Sequence, residues 1–259
     1  YKSEYRGRVQ NRATGLDAQP MFHLSFAPMV SDVHTYHAFA QKVEAFNAAR
    51  PQLRLYVVCG TAPMDEAASR RMLQRVDSLT AVVDAARGQQ KLAAALVQRA
   101  VAETLAQNYE DAISDLEASL GIDSTSVVAL WQRAYCQTMM NEFDKQARNA
   151  KGDATAASLK SARIMSDLDQ AIQADKDNQY LYYNRGCTYM AERDYTHAID
   201  DFTRAINIDH NLAEAYYNRG LARVQNGLKS EGIADLSKAG ELGLYKAYSV
   251  IKKISNSKK

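Results

Sequence analysis

From residue 64 to the end of the chain, apolar residues recur every three or four positions, a spacing that predicts amphipathic α-helices. The first predicted helix covers 64–87, where Ala68, Met72 and Val76 share one face. Gly88 follows as a natural stop for that helix. The last predicted helix covers 245–255 and caps the final apolar face of the array.

The first 63 residues follow a different pattern. Phe22, Leu24 and Phe26 alternate with polar residues, which predicts a half-buried strand. The apolar run at 53–59 predicts a buried strand, and between the two the apolar residues return to helical spacing. All four prolines lie in this segment. With an extended stretch at 5–10, the pattern predicts a small β-β-α-β module over 1–63, followed by a helical array over 64–259.

The helical array contains an internal repeat. The string Tyr-Tyr-Asn-Arg-Gly at 182–186 returns unchanged at 216–220, a displacement of 34 residues. A small residue such as Gly186 or Gly220 lets two helices approach closely, while bulky neighbours fill the space around it. Extending the period in both directions predicts four units. They lie at 93–126, 127–178, 179–212 and 213–246, the second with an 18-residue insertion between Phe143 and Ile164.

This pattern over 93–246 resembles the tetratricopeptide repeat (TPR), in which a large residue, a small residue four positions later and alanines of a second helix recur. The chain as a whole is similar to the C-terminal part of uncharacterised bacterial TPR proteins. The resemblance implies a mainly α fold, an antiparallel helix-pair solenoid known as the TPR superhelix. The small α+β module precedes it here.

The resemblance also implies a concave groove lined by the first helix of each repeat. Residues three before and one after the small residue face that groove, and residues one turn further on join them. These positions are Val97, Val101, Trp131, Tyr135, Met139, Tyr183, Cys187, Met190, Tyr217, Leu221 and Val224. Some TPR proteins grip the C-terminal carboxylate of a chaperone tail with Lys, Asn and Arg at such positions. None of those residue types stands here, so that function is not carried over.

An aromatic and apolar groove of this kind predicts a non-catalytic scaffold that binds a protein partner, as a peptide or a helix. Trp131, Tyr135, Tyr183 and Tyr217 would be its anchors, because aromatic side chains supply large rigid contact areas. The alternative is a groove that is already covered, by the insertion, by the N-terminal module or by a second copy of the chain in a homo-oligomer. Solvent exposure of Trp131 and Tyr183 would separate the two.

Charged residues recur with the same period. An arginine stands directly before each small residue, and an aspartate stands directly before a large residue of each second helix. They are Arg99, Arg133, Arg185 and Arg219, and Asp115, Asp167, Asp201 and Asp235. Four equivalent charges would suit a binding ladder, but structural pairs that join two helices are favoured. We predict that each arginine lies within salt-bridge distance of one of these aspartates.

Composition argues against a general attraction to nucleic acid. The 259 residues include 32 basic and 30 acidic ones, a formal net charge of +2. No apolar run approaches the roughly 18 residues of a membrane span, so we expect a soluble chain. The first residue is Tyr1 rather than methionine, which is typical of a fragment or a processed chain. A targeting segment would then be missing, and the compartment stays open.

Residues with catalytic or metal-binding chemistry form no recognisable set. Cys59, Cys136 and Cys187 are widely spaced, and we expect them to be small buried side chains. His34 and His37 would share a helix face, but no further ligand stands at a metal-binding spacing. We therefore expect no catalytic residue, no metal site and no cofactor. An enzyme or ligand site in the N-terminal module is the weaker alternative.

Overall fold

The computed structural model describes residues 66–147 and 154–256, together with the isolated positions Ala45 and Ala48. Apart from the short connecting turns, these residues are helical, and the described ranges contain no strand. The mainly α fold class predicted from the periodicity is thereby confirmed. The predicted β-β-α-β module, with Cys59 and the histidines at 23, 34 and 37, lies outside the described residues except for the two helical alanines. Its boundary at residue 63 stays a prediction.

Ten helices follow one another in the described ranges. They are α1 (Glu66–Ala85), α2 (Gln89–Leu105), α3 (Tyr109–Ile122), α4 (Val127–Ala147), α5 (Ala154–Ala174), α6 (Gln179–Ala191), α7 (Tyr195–Ile208), α8 (Ala213–Gln225), α9 (Lys229–Glu241) and α10 (Lys246–Asn256). Helices α6 to α9 have 13 or 14 residues each. In contrast, α4 and α5 have 21 residues each. The insertion therefore lengthens both helices of its repeat.

The described helices group into two compact units, α1–α5 up to Ala174 and α6–α10 from Asp175. Within the units, α2 packs on α3, α4 on α5, α6 on α7 and α8 on α9. Because the turns that join these helices are short, the members of each pair run antiparallel. In the first unit α1 also packs on α2, and in the second unit α10 packs on α9. Both units are thus built from antiparallel helix pairs.

Two of the small residues mark places where helices nearly touch. A Cβ atom at Gly186 would stand 2.8 Å from Cε1 of Phe202 in α7. At Gly220 it would stand 2.8 Å from the carbonyl oxygen of Gly232 in α9, and at Gly232 it would stand 2.7 Å from the carbonyl oxygen of Gly220. Helix propensity alone would favour alanine over glycine at these positions by about 1 kcal/mol. The close contacts exclude alanine at these positions.

The predicted pairing of the two charged columns is confirmed. Each arginine of a first helix donates from Nε and Nη2 to both carboxylate oxygens of the aspartate in its own second helix, over N–O distances of 2.6 to 2.9 Å. The pairs are Arg99–Asp115, Arg133–Asp167, Arg185–Asp201 and Arg219–Asp235. All four aspartates are buried. The pairs are therefore closed inside the repeats and are not a ladder of free charges.

Two of these arginines also contact the preceding helix. Arg99 donates from Nη1 to Oγ1 of Thr80 in α1 over 3.3 Å, and Arg219 donates from Nη1 to Oγ1 of Thr203 in α7 over 3.1 Å. One guanidinium group thus links its own second helix to the second helix that comes before it. These bonds connect successive repeats within each unit.

Helix α10 covers the last helix pair. Leu244 and Ala247 are buried in one cluster with Leu236 and Ala239 of α9. Nζ of Lys229 donates to the carbonyl oxygen of Ile254 over 2.7 Å, at the C-terminal end of α10. Ile254 stands one period after Gly220, at the position where the other repeats have glycine or alanine. A side chain of that size prevents a further second helix from approaching α10 as α9 approaches α8.

The turns between the helices of a pair share one residue position with an unusual backbone conformation. Gln107, Arg193 and Gly227 have positive φ angles of 67°, 63° and 85°, and they occupy equivalent positions of three repeats. Only glycine adopts this left-handed conformation without steric cost from a Cβ atom. The turn therefore requires a conformation that two of the three residues adopt under strain.

The Arg–Asp pairs give a first test. Replacement Asp201→Asn leaves Arg185 without its charged partner, and we expect the free energy of unfolding to fall by about 2 kcal/mol. Asp200→Asn is the matched control, since Asp200 is an exposed neighbour in the same helix. Urea unfolding followed by circular dichroism measures both. Equal midpoints for the two variants would contradict a structural role for the pair.

The left-handed turn gives a second test with opposite signs. Gly227→Ala meets no atom within 4 Å of the new Cβ, so its expected loss of about 1 kcal/mol comes from the backbone angle alone. Arg193→Gly should raise stability by roughly 0.5 kcal/mol. Gly121→Ala, also free of contacts but in a helix, is the control and should be stabilising. A stabilising Gly227→Ala would refute the explanation.

Candidate functional site

The first-helix positions predicted to face a groove differ in exposure in the first unit. Val97 and Val101 of α2 are buried, and Trp131 of α4 is only 2% exposed. Tyr135 and Met139 of α4 remain partly exposed. The ring of Tyr135 meets the ring of Tyr109 edge to face, with 6.5 Å between centroids, and burial raises the pKa of the Tyr135 phenol. Tyr135 and Met139 are therefore the predicted groove positions of the first unit that keep partial exposure.

A buried polar cluster lies between α2 and α4. The hydroxyl of Thr104 donates to the carbonyl oxygen of Ala100 over 2.7 Å and accepts from Nε2 of Gln132 over 3.0 Å. Sγ of Cys136 lies 3.2 Å from the same hydroxyl oxygen, and its S–H must donate, because the hydroxyl proton is already used. Burial raises the pKa of Cys136 to about 11. The thiol stays protonated at neutral pH, which does not suit a nucleophile.

In the second unit, Tyr183 of α6 is fully buried, with 0% exposed. Its ring lies 5.7 Å from the ring of Phe202 in α7, and its hydroxyl accepts a hydrogen bond from Nδ2 of Asn218 in α8 over 2.6 Å. Tyr183 is therefore not exposed to solvent, and its place in a groove stays a prediction. Asn218 of the next first helix contacts the phenol at this position. Trp131 occupies the equivalent position of its repeat and is buried as well.

Val224 of α8 also differs from the expectation. A Cβ atom at Gly232 would stand 2.6 Å from Cγ2 of Val224, so this side chain lies against α9. The reason is helical geometry, since a residue four positions after Gly220 lies on the same face as Gly220, which faces the second helix. Met190 has the same offset from Gly186. It is partly exposed, as is Cys187.

Tyr217 and Leu221 of α8 are partly exposed and pack against the cluster that α9 and α10 form. Nζ of Lys246, the first residue of α10, lies 4.4 Å from the centroid of the Tyr217 ring. Burial lowers the pKa of Lys246, and the nearby carboxylate of Glu214 opposes that effect. Glu214 is itself 7% exposed. A polar group therefore borders the predicted apolar surface at this end of the unit.

The sequence contains a third polar column that the search for functional residues missed. An amide residue precedes each arginine of the first helices, at Gln98, Gln132, Asn184 and Asn218. Two of these amides bond to the preceding first helix, Gln132 to Thr104 and Asn218 to Tyr183. The 34-residue period that revealed the arginines would have revealed this column too. Gln132 and Asn218 thus each join two neighbouring first helices of one unit.

The described residues offer little for catalysis. They contain no group of three His, Cys, Asp or Glu side chains that could hold a metal ion. In the part of the chain that the structure covers, no helix is both long and apolar enough to cross a membrane. The recurring charges and amides form bonds inside the helix stack. Seven predicted groove positions keep partial exposure, namely Tyr135, Met139, Cys187, Met190, Tyr217, Leu221 and Val224.

Comparison with known proteins agrees with the architecture. A family model described as TPR repeat matches residues 188–227. The crystal structure of MamA is 21% identical and covers 72% of this chain and 99% of its own, with a TM-score of 0.55. MamA from residue 41 to the end, from Desulfovibrio magneticus RS-1, is 16% identical and covers 67% of this chain and 90% of its own, with a TM-score of 0.53.

At these identities the likeness to MamA concerns the fold alone, and no curated protein sequence matches the chain. The matched residues run from the end of α6 through α7 and α8 and include the second copy of the repeated string, at 216–220. On this evidence the chain contains a match to the TPR repeat at 188–227 within a fold of antiparallel helix pairs.

Proposed function

We propose that the chain is a non-catalytic scaffold that binds a protein partner, as a peptide or a helix, through the exposed parts of its first helices. The observation that carries this proposal is the closure of all four Arg–Asp pairs inside the repeats. The charged residues that recur most regularly therefore pair with each other inside the repeats. The predicted groove positions that keep partial exposure are apolar or aromatic, which suits binding rather than chemistry.

The binding residues we propose are Tyr135 and Met139 in the first unit and Cys187, Met190, Tyr217 and Leu221 in the second. Aromatic side chains contribute large contact areas at low entropic cost, and methionine adapts its shape to a partner. This proposal narrows the predicted groove to positions that solvent reaches in each unit.

Self-association is the competing role, because a second copy of the chain would cover the same apolar residues. Exposed Leu159 of α5, with 64% of its surface accessible, adds an apolar contact point in the first unit. Light scattering at several protein concentrations distinguishes the two roles. A scaffold for other proteins stays monomeric over a range in which it binds peptides.

Peptide selection tests the proposal directly. The full chain is used to select short displayed peptides, and Kd is then measured by fluorescence anisotropy. We expect Met139→Gln to weaken binding of peptides that bind the first unit by about tenfold, and Met190→Gln to do the same for peptides that bind the second unit. Leu228→Gln is the control, because Leu228 is a comparably apolar residue, 42% exposed, in the turn before α9.

Two outcomes would contradict the proposal. One is a set of selected peptides whose affinity changes equally in Leu228→Gln and in the two methionine variants. The other is a chain that selects no peptide but forms dimers that Met139→Gln or Met190→Gln disrupts, which would establish self-association instead.

A further inference from the structure

The lysines of the second unit differ in what surrounds their ammonium groups. Nζ of Lys229 bonds to the carbonyl oxygen of Ile254, and Nζ of Lys238 bonds to Glu241. Lys252 is exposed to water. The ammonium group of Lys246 is half-buried above the Tyr217 ring, yet it forms no ion pair or hydrogen bond with any described residue. Its three N–H donors are therefore available.

Glu214 does not supply the missing acceptor. Its carboxylate acts on Lys246 through space and raises the pKa of the lysine, but no bond joins the two side chains in the described structure. The carboxylate of Glu214 also contributes to the raised pKa of the buried phenol of Tyr183, so Glu214 lies near both groups. A second carboxylate at Lys246 would find a cation that Glu214 neutralises only in part.

A second donor lies beside the ammonium group. The phenol hydroxyl of Tyr217 has no hydrogen-bond partner among the described residues, and burial raises the pKa of Tyr217, which keeps the phenol protonated. Tyr217 and Lys246 are both partly exposed, so a ligand can reach them. The first turn of α10 contains no acidic residue. The positive end of the helix dipole therefore adds to the attraction for an anion.

We propose that the second unit binds a peptide whose apolar side chains contact Tyr217 and Leu221 and whose acidic side chain pairs with Lys246 and the Tyr217 hydroxyl. This inference rests on the proposed scaffold function and adds the chemistry of the partner. One carboxylate has enough acceptor positions for both donors, and charge-assisted hydrogen bonds are the stronger kind. The apolar contacts provide buried contact area, and the carboxylate determines which peptides bind.

Two matched libraries of synthetic peptides test this inference on the full chain. The peptides are apolar, amidated at the C-terminus to remove the terminal carboxylate, and identical except that each Glu of one library is Gln in the other. We expect the wild-type chain to prefer Glu peptides by about tenfold. The preference should vanish in Lys246→Met, persist in Lys246→Arg and in the control Lys252→Met, and weaken in Tyr217→Phe.

Thermal unfolding of each variant shows whether α10 remains folded. A Glu preference that survives in folded Lys246→Met would overturn the inference, because the carboxylate would then bind elsewhere. Equal binding of the two libraries would also overturn it while leaving the scaffold function intact. If neither library binds and selection with displayed peptides fails as well, both proposals are wrong.

Discussion

The bidentate pair of arginine and aspartate inside each helix pair is the interaction on which the rest of the structure depends. A planar guanidinium group meets a planar carboxylate through two parallel hydrogen bonds, so it restricts both the separation and the rotation of the two helices. Net stabilisation by a buried ion pair is small, because desolvation offsets the attraction. Its main effect is on geometry. Arg185 with Asp201 and Arg219 with Asp235 each hold one register of first and second helix.

That register decides which faces stay available. With the helices of a pair held close, Gly186 lies against Phe202, and the next first helix comes near enough to cover Tyr183. The buried amide of Asn218 and the phenol of Tyr183 then form a polar contact between first helices. The surface that is left is narrower and more mixed than an apolar groove. At the α10 end it includes the cation of Lys246.

The repeat period and the pairing of the charged residues were predictable from the sequence, because each depends on residues at fixed spacing. The repeated string, the helix pairs and the four Arg–Asp partners all follow from that spacing. Side-chain orientation was not predictable, since the buried Tyr183 bonds to Asn218 of the next first helix and Val224 lies against Gly232. Such burial depends on how closely successive repeats pack. Lys246 was missed for a related reason, as its position above the Tyr217 ring depends on how α10 packs on the preceding helices.

The long helices α4 and α5 show that the length of a repeat is independent of the alignment of its two helices. Arg133 and Asp167 pair as their counterparts do, although both helices have 21 residues against 13 in α6. Eight additional residues lengthen a helix by about 12 Å. The two helices lengthen at the end where the chain connects them. Whole turns can therefore be added there without moving the other end, which holds the Arg133–Asp167 pair. This repeat can therefore vary in length through evolution while the stacking of its neighbours is preserved.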